Sequence, residues 1–415
     1  MKITVIGAGY VGLITGACFA KLGNEVNIID IDKEKLAAIR NRKAPIYEEG
    51  LEKLLGQIKL NVGSDYQMVS SSDVIFLCLG TPADETGNIV LDYLVEATGQ
   101  VAKVLKTKKD YCVVTVKSTV APGTTEQVVI PILEASGKRV GDGFGVCMCP
   151  EFLREGKAIY DFINPARVII GEYDHKSGDV LSNLYQFAKA PIMRTGLNTA
   201  EMIKLASNCF LATKLSYINE VGNICKKLGI DVYEVAKGVG LDDRIGSKFL
   251  NAGVGFGGSC LPKDLKMLVA KAKEVTYKPK IMEAVSDFND AQAIRLVELL
   301  KKHVALKNST IGLLGLAFKP DTDDVRDSRA IKVVEALLQE GALIRAYDPM
   351  AVSNFRKLFP EIEYVTPEGV MGSDAILIVT EWDEFNQLDY RGKVVIDGRR
   401  IPKAKEAKIY EGICW

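Results

Sequence analysis

Short apolar runs alternate with helical patterns in the first part of the chain. Runs of strand length occur at residues 3–6, 25–30, 74–79, 113–117 and 145–148. Apolar side chains fill nearly every position of these runs, so both faces of each predicted strand are buried. This pattern is typical of a parallel sheet that is covered by helices on both sides. The sequence therefore predicts a doubly wound α/β domain.

The middle of the chain has helical periodicity without runs of strand length. Apolar or small residues recur every three or four positions between 198 and 227, a proline-free stretch that predicts one long helix. Further helices are predicted at 232–239, 261–273 and 280–302. A helical region thus follows the first α/β domain.

A second alternation of strands and helices begins near residue 309. Strands are predicted at 310–314, 343–347, 375–379 and 394–396, and a helix at 330–340. The segment 310–315 resembles 2–7, which suggests a repeated unit. The predicted fold class is α/β, with two Rossmann-like doubly wound domains joined by a long central helix and a helical dimerisation region. The predicted domains are 1–197, 198–305 and 306–415.

The charge balance, the length of the apolar runs and the cysteine pattern exclude several classes of protein. Lys plus Arg and Asp plus Glu balance at 53 each, so no overall charge attracts nucleic acid or an anionic membrane. The apolar runs are much shorter than the roughly 20 residues that span a bilayer, and the first residues lack the pattern of a secretory signal. Nine scattered cysteines without a C-x-x-C pair predict reduced thiols and no metal site. We therefore expect a cytoplasmic protein.

A glycine-rich turn carries the clearest cofactor pattern. Gly7, Gly9 and Gly12 directly follow the first predicted strand and open a helix. Such glycines allow a tight turn, close approach of a pyrophosphate and close packing of helix on strand. Asp30 ends the second predicted strand, where a carboxylate binds ribose hydroxyls and disfavours a 2′-phosphate. The pattern predicts NAD; a glycine turn with an ordinary aspartate at a strand end is the alternative.

Polar residues follow two further strands of the predicted sheet. Thr81 lies after the strand at 74–79, and Ser118 and Thr119 lie after the strand at 113–117. Ligands of open parallel sheets bind at this edge, so we expect these residues to contact cofactor or substrate. Ordinary turn formation is the competing interpretation.

The segment 255–264 is the best candidate for catalysis. Several glycines precede Cys260, and Pro262 suits the first turn of a helix, which places the thiol at a helix N-terminus. Peptide dipoles at that position favour the nucleophilic thiolate. Asp264 lies one turn later on the same face. A buried structural cysteine is the alternative for this position.

Lys204 and Asn208 are spaced i, i+4 on the predicted long helix, so their side chains project together. A solvated helix face would explain this pair equally well. Glu151 and Arg167 lie in segments that look like loops after the fifth predicted strand.

These motifs together resemble the UDP-glucose/GDP-mannose dehydrogenase family of nucleotide-sugar 6-dehydrogenases, and the similarity extends over essentially the whole chain. The motifs are Gly7-x-Gly-x-x-Gly12, Pro150-Glu-Phe-Leu-x-Glu-Gly, Lys204-x-x-x-Asn208, Asn219-Glu220, Gly257-Gly-Ser-Cys-x-Pro-Lys-Asp264, Phe318-Lys319 and Asp397-Gly-Arg399. One departure is Cys149, which stands where the family commonly has Asn.

The resemblance implies a mechanism and a set of site residues. C6 of the sugar is oxidised from alcohol to acid in two hydride transfers to NAD, with a thiohemiacetal and a thioester at Cys260 and a final hydrolysis. The catalytic residues would be Cys260, Lys204, Asn208, Asp264, Thr119 and Glu151. The cofactor contacts would be Gly7, Gly9, Tyr10, Val11, Gly12, Asp30, Lys35, Thr81, Ser118, Glu155, Lys263 and Arg326. The substrate contacts would be Phe152, Leu153, Arg244, Phe249, Leu250, Asn251, Gly253, Phe256, Gly257, Phe318 and Lys319.

The resemblance also implies a homodimer in which Arg244 reaches the neighbouring subunit's substrate. By the same resemblance, the Pro-Glu-Phe motif at 150–152 and Phe256-Gly-Gly-Ser-Cys260 favour UDP-glucose over UDP-N-acetylmannosamine. The segments 241–250 and 165–168 favour it over GDP-mannose, although Phe-Leu-Arg-Glu at 152–155 also occurs in the mannose enzymes, and both other sugar nucleotides are the alternatives. A non-catalytic NAD-binding sensor and an alcohol dehydrogenase that releases aldehyde are the rival classes.

Overall fold

The computed structural model describes residues 1–84 and 86–415, and the chain forms two compact units. The first is Met1–Ser207 and the second is Asn208–Trp415. One long helix, Leu197–Leu228, runs from the end of the first unit into the second. The division into three domains at 197 and 305 stays a prediction.

The first unit is built on an eight-stranded sheet. Its strands are β1 (Lys2–Ile6), β2 (Glu25–Ile29), β3 (Asn61–Gly63), β4 (Val74–Leu77), β5 (Val113–Val116), β6 (Gly145–Met148), β7 (Val168–Glu172) and β8 (Ile192–Gly196). The strand order is β3-β2-β1-β4-β5-β6-β7-β8. Neighbouring strands are parallel except β6 and β7, which are antiparallel. The five strands predicted for this unit are present, with ends that differ by up to two residues.

Helices cover both faces of this sheet. They are α1 (Tyr10–Lys21), α2 (Lys33–Arg40), α3 (Leu51–Gln57), α4 (Asp92–Leu105), α5 (Ile130–Glu134), α6 (Ala158–Ile163) and α7 (His175–Leu184). In β4, Val74 and Phe76 pack into one buried apolar cluster, whereas Ile75 and Leu77 pack into the other. Successive side chains of a strand point to opposite faces, so a continuous apolar run supplies both cores.

The second unit begins within α8 (Leu197–Leu228) and continues with a group of helices and a six-stranded sheet. The helices are α9 (Val232–Gly240), α10 (Leu261–Glu274), α11 (Lys280–Leu300), α12 (Arg329–Gln339), α13 (Val352–Phe355) and α14 (Pro367–Met371). The strands are β9 (Thr310–Leu314), β10 (Leu343–Tyr347), β11 (Glu363–Tyr364), β12 (Ala375–Ile378), β13 (Val394–Asp397) and β14 (Ile409–Gly412). All pairs are parallel, in the order β11-β10-β9-β12-β13-β14. The fold class of two parallel α/β sheets with a long central helix is confirmed.

The turn after β9 repeats the geometry of the turn after β1, but its polar groups are paired differently. Gly315 has φ +93°, close to the +99° of Gly7. Asp348, which follows β10, accepts hydrogen bonds from the backbone N–H groups of Leu316 and Ala317 and from Trp382 Nε1 at 2.7, 3.0 and 3.0 Å. The indole N–H of Trp382 thus uses one carboxylate oxygen of Asp348 as its hydrogen-bond acceptor.

Eight of the nine cysteines are buried, and Cys260 is exposed. Buried thiols behave as small apolar residues, in keeping with their place in the predicted core runs. In the described part of the chain, no helix combines the length and the apolar character needed to cross a membrane.

Candidate active site

The glycine turn of the first unit leaves room for a ligand at one position only. A Cβ atom added to Gly7 would collide with the carbonyl oxygen of Cys78, and one added to Gly12 would collide with the carbonyl oxygen of Gly7. A Cβ on Gly9 would meet nothing within 4 Å. Gly9 is also the N-cap residue of α1, and no side chain there caps the backbone N–H groups of the first turn. The first turn of α1 is therefore available to hydrogen-bond a phosphate, as the glycine pattern requires.

Asp30 joins the end of β2 to this turn. Its carboxylate accepts hydrogen bonds from the backbone N–H groups of Ala8 at 2.5 Å and Asp32 at 2.8 Å. It lines a cavity of about 460 Å³ together with apolar side chains and the acidic residues Asp65 and Glu96. A cavity lined by apolar side chains and by the carboxylate that follows β2 suits an adenosine, and this carboxylate disfavours a 2′-phosphate. These residues fit NAD.

Other predicted cofactor residues of this unit lie around the same edge of the sheet. Thr81 Oγ1 donates a hydrogen bond to the Thr119 carbonyl at 2.8 Å, and the Ser118 hydroxyl accepts one from Leu79 N at 2.7 Å. These bonds connect the loops after β4 and β5. The Tyr10 hydroxyl donates to the buried Glu48 carboxylate and accepts from Gly156 N at 3.1 Å.

Three predicted cofactor residues have charged partners of their own. Lys35 lies 3.5 Å from Asp32 in the first turn of α2. Lys263 and Arg326 belong to the second unit, where they pair with Asp264 and Asp324 at 2.7 and 2.6 Å. Their contact with a cofactor stays a prediction, as do the roles of Val11 and Glu155.

A buried ion pair links the loop after β6 to the start of α8. Lys204 Nζ donates a hydrogen bond to Glu151 at 3.0 Å, and both side chains are almost fully buried. Burial raises the pKa of the Glu151 carboxyl, but the Lys204 ammonium and the Leu153 N–H at 2.5 Å hold it below its ordinary value. Glu151 is thus an ionised carboxylate beside an ammonium. The pair can exchange a proton or stabilise a developing negative charge.

Phe152 completes this cluster. Lys204 Nζ lies 5.3 Å from the centre of its ring, and the guanidinium of Arg167 stacks at 3.9 Å. Cys149, the departure from the family pattern, is buried, and its carbonyl accepts a hydrogen bond from Lys117 Nζ at 3.4 Å. Lys117 is itself buried and donates to Tyr185 at 3.1 Å.

In the second unit, Cys260 is the residue that precedes the first turn of α10. The Asp264 N–H donates to the Cys260 carbonyl at 2.8 Å, so the helix begins where the sequence predicts it. The Cys260 side chain is exposed, and the Ser259 hydroxyl lies 3.5 Å from its sulfur. An accessible thiol at a helix N-terminus is suited to nucleophilic attack.

Asp264 is buried and held by two donors. Its carboxylate accepts hydrogen bonds from Asn208 Nδ2 at 2.6 Å and Lys263 Nζ at 2.7 Å. The Cys209 thiol approaches the Asp264 carbonyl at 3.7 Å. The structure thereby brings together Asn208 and Asp264, two of the residues for which the resemblance implies a catalytic role.

The glycines before Cys260 pack against the loop that carries Phe318. A Cβ on Gly258 would approach the Phe318 ring to 2.7 Å, and one on Gly257 would run into the Asp327 carbonyl. Gly258 N also donates to the Arg326 carbonyl at 2.9 Å. Lys319 Nζ lies 5.7 Å from the centre of the Phe318 ring. Of the predicted substrate residues, Phe318, Lys319 and Gly257 therefore lie near the thiol loop.

The remaining predicted substrate residues of this unit lie on the preceding loop. Leu250 and Phe256 are buried, Asn251 is exposed, and Phe249 has a left-handed backbone with φ +62°. Arg244 is exposed and forms a two-point contact with Asp242, with Nε at 3.0 Å and Nη2 at 2.6 Å.

Glu201 is a site-forming residue that the sequence analysis missed. It lies in α8, one turn before Lys204, and its side chain is fully buried. Its carboxylate accepts hydrogen bonds from Gly123 N, Thr125 N and Thr125 Oγ1 at 2.7, 2.8 and 2.6 Å. These bonds fix the segment after Thr119 to α8. The sequence offered one sign of this role: Glu201 is a charged residue at a position of α8 that lies among apolar, buried positions.

The glycine turn, the acid after β2 and the doubly wound sheet define a dinucleotide-binding protein of the Rossmann class. Models of the UDP-glucose/GDP-mannose dehydrogenase family match three parts of the chain: the NAD binding domain at residues 1–189, the central domain at 198–291 and the UDP binding domain at 312–404. The chain belongs to this family, and the prediction of NAD as cofactor is confirmed.

Three relatives illustrate the similarity. UDP-glucose 6-dehydrogenase AglM of Haloferax volcanii is 43% identical, with both chains covered completely. A UDP-glucose dehydrogenase structure from Pyrobaculum islandicum is 40% identical, with a TM-score of 0.96 over 100% of this chain and 98% of that one. A UDP-D-ManNAc dehydrogenase structure from Pyrococcus horikoshii is 31% identical, with a TM-score of 0.89 over 100% of this chain and 99% of that one.

Proposed function

We propose that this enzyme oxidises UDP-glucose at C6 to UDP-glucuronate, with Cys260 as the nucleophile. The observation that carries the proposal is the exposed Cys260 thiol at the start of α10, with the buried Asp264 one turn later, held by Asn208 and Lys263. An alcohol oxidation needs no nucleophilic thiol. Oxidation of an aldehyde to an acid can use one, because the thiol adduct gives a tetrahedral carbon that can lose a second hydride.

The site residues divide the chemistry between them. Cys260 adds to the C6 aldehyde as a thiolate, which forms a thiohemiacetal; oxidation gives a thioester, and water cleaves it to the acid and the thiol. When bound, NAD accepts the hydride in each oxidation. Lys204 and Asn208 stabilise the oxyanions that form at C6. Asp264 and Glu151 accept protons, and Thr119 helps to orient water, as the family motif implies.

The choice of sugar nucleotide rests on sequence features and on the relatives. The relatives named for UDP-glucose are 43% and 40% identical, and the one named for UDP-D-ManNAc is 31% identical. Phe152 and Ser259 also stand in the two motifs that distinguish the UDP-glucose pattern. The test is to supply the purified enzyme and NAD with UDP-glucose, UDP-N-acetylmannosamine or GDP-mannose at equal concentration. We expect kcat/KM to be highest for UDP-glucose. A higher value for UDP-N-acetylmannosamine or for GDP-mannose would contradict the proposal.

We also propose that the enzyme acts as a homodimer. In the second unit, Phe210, Tyr217 and Ile224 recur every seven residues along α8, and their exposed fractions are 64%, 58% and 55%. An exposed apolar stripe at that spacing is typical of a helix that packs on another helix. Arg244 is exposed, as a side chain that reaches a neighbouring subunit must be.

The dimer is tested by mass in solution. Light scattering should give twice the 45.3 kDa of one chain, and Tyr217→Glu with Ile224→Glu should give the mass of one chain. A wild-type mass of one chain contradicts the proposal. A cytoplasmic location is part of the same proposal, because eight buried, reduced thiols suit a reducing compartment.

A further inference from the structure

The loop that precedes Cys260 is held by side chains from three helices. Tyr233 of α9 donates a hydrogen bond from its hydroxyl to the Ala252 carbonyl at 2.8 Å. Asn219 of α8 accepts one from Gly253 N at 2.7 Å, and Gln292 of α11 donates one to the Gly253 carbonyl at 2.9 Å. Side chains thus form the hydrogen bonds of these loop backbone groups, a role that a neighbouring strand has in a β-sheet.

Asn289 makes the most complete of these contacts. Its Oδ1 accepts from Phe256 N at 2.8 Å, and its Nδ2 donates to the Phe256 carbonyl at 2.9 Å. One amide side chain therefore satisfies both backbone groups of one residue, as a neighbouring strand would do. Asn289 is 3% exposed, so water does not compete for these bonds.

Gln292 lies three residues further along α11, on the same helix face, and is 1% exposed. Its Oε1 accepts a hydrogen bond from Asn223 Nδ2 at 2.8 Å. This bond fixes the orientation of the amide, so that its nitrogen faces the Gly253 carbonyl. Both ends of the Gln292 amide are engaged.

The loop and α11 are in close contact, which leaves little room for another arrangement. Gly255 has φ +102°, and a Cβ there would approach Asn289 Oδ1 to 2.5 Å. The two amides therefore bind a glycine-containing backbone that has high conformational freedom when unfolded. Losing either amide leaves buried backbone groups unpaired and removes the restraint on the loop.

We propose that Asn289 and Gln292 are positioning residues for the sugar nucleotide and for Cys260. This inference rests on the proposed function and on the substrate contacts that the family resemblance implies for Gly253, Phe256 and Gly257. The loop that they hold contains Gly253 and Phe256 and leads directly to the Cys260 thiol. They act through this loop. The glycine turn and Asp30, which fit NAD, lie in the first unit, and neither Asn289 nor Gln292 is among the predicted cofactor contacts, so we expect these amides to affect sugar-nucleotide binding and catalysis more than NAD binding.

The test uses Asn289→Ala and Gln292→Ala in the full-length enzyme. The KM of the sugar nucleotide should rise about tenfold or more in each variant, and kcat should fall. The KM of NAD and the dissociation constant of NAD should stay within about twofold of the wild-type values. The sugar nucleotide is whichever of UDP-glucose, UDP-N-acetylmannosamine and GDP-mannose the wild-type enzyme oxidises best. A wrong substrate assignment is therefore seen in the wild-type enzyme alone and leaves this test intact.

Asn27→Ala is the matched control, because Asn27 is a buried asparagine of the first unit. Its Nδ2 donates to Thr4 Oγ1 and to the Met68 carbonyl, both at 3.1 Å. This variant should lower the melting temperature and keep the wild-type KM of the sugar nucleotide. If Asn289→Ala does not fold, Asn289→Asp replaces it. Asn289→Asp keeps the size of the side chain and the acceptor for Phe256 N but loses the donor to the Phe256 carbonyl. Folded variants with a lower melting temperature and an unchanged sugar-nucleotide KM would overturn the proposal.

Discussion

The Lys204 ammonium lies 3.0 Å from the Glu151 carboxylate in an almost fully buried pair. Each charge compensates the other in surroundings where an unpaired charge is costly. Because Glu151 follows β6 and Lys204 lies on α8, the pair also fixes the loop after β6 to the long helix. The pair therefore combines the proposed catalytic role with a structural one.

Lys204→Met should lower kcat by about a hundredfold or more, because it removes the cation proposed to stabilise the oxyanion. It should also shift the acid limb of the kcat/KM profile to higher pH. In the wild-type enzyme the pKa of Glu151 is held below its ordinary value, so the carboxylate stays ionised as the pH falls. Without the ammonium, burial dominates and the pKa rises, so Glu151 takes up a proton at higher pH.

The control for this variant is Lys43→Met, which breaks an exposed pair with Glu52 in the same unit. Exposed pairs contribute little, so this variant should keep the wild-type pH profile. An unshifted acid limb in Lys204→Met would contradict the assignment of Glu151 as a carboxylate held ionised by Lys204.

Asp264→Asn should slow hydrolysis of the thioester. The substitution keeps the size of the side chain but removes the negative charge that pairs with Lys263 at 2.7 Å and can accept a proton from water. We expect kcat to fall about a hundredfold and an acylated Cys260 to accumulate, detectable by mass spectrometry of the quenched enzyme. A fall in kcat without acylated enzyme would place Asp264 in an earlier step.

Glu201→Gln should destabilise the first unit and lower kcat. The carboxylate accepts from three donors, and an amide nitrogen in place of one oxygen would face a backbone N–H. One unsatisfied buried group costs about 1–3 kcal/mol, measured by urea unfolding. Glu126→Gln is the control, because Glu126 is exposed and accepts a hydrogen bond at 2.8 Å from Asn198, which lies on α8 as Glu201 does. Equal effects of the two substitutions would contradict the role given to Glu201.

Asp30→Ala should weaken NAD binding selectively. The substitution removes the acceptor of the Ala8 and Asp32 N–H groups and the carboxylate that faces the cavity. The KM of NAD should rise about tenfold, while the KM of the sugar nucleotide stays near the wild-type value. Asp73→Asn is the control. Asp73 directly precedes β4, and its carboxylate accepts a hydrogen bond from Lys2 N at 2.8 Å, so this substitution should leave both KM values unchanged. An equal rise for both substrates would show that Asp30 acts on the fold alone.

The sequence predicted those parts of the molecule that depend on local patterns. The glycine turn between β1 and α1, the strands with continuous apolar runs and the place of Cys260 before α10 all follow from residues that are close in the chain. The long helix was predicted to within one residue at each end, because its period is sustained over many turns.

Contacts between distant residues could not be predicted in this way. Glu201 bonds to Gly123, 78 residues away, and Asn289 bonds to Phe256, 33 residues away. Strand β8 has only exposed or half-buried side chains, so it lacks the apolar run by which nine of the fourteen described strands were predicted. Strand β7 was not predicted either, and an apolar run of this kind would not have specified its antiparallel pairing with β6.

The central claim is a four-electron oxidation through Cys260, and the yield of NADH tests it most directly. With limiting UDP-glucose and excess NAD, the wild-type enzyme should form about two NADH per sugar nucleotide, and Cys260→Ala should form at most about one. UDP-glucuronate, quantified in the same reaction, should amount to about half of the NADH, and about three protons should be released for each UDP-glucuronate formed. One NADH per UDP-glucose in the wild-type enzyme, with free aldehyde as product, would contradict the account.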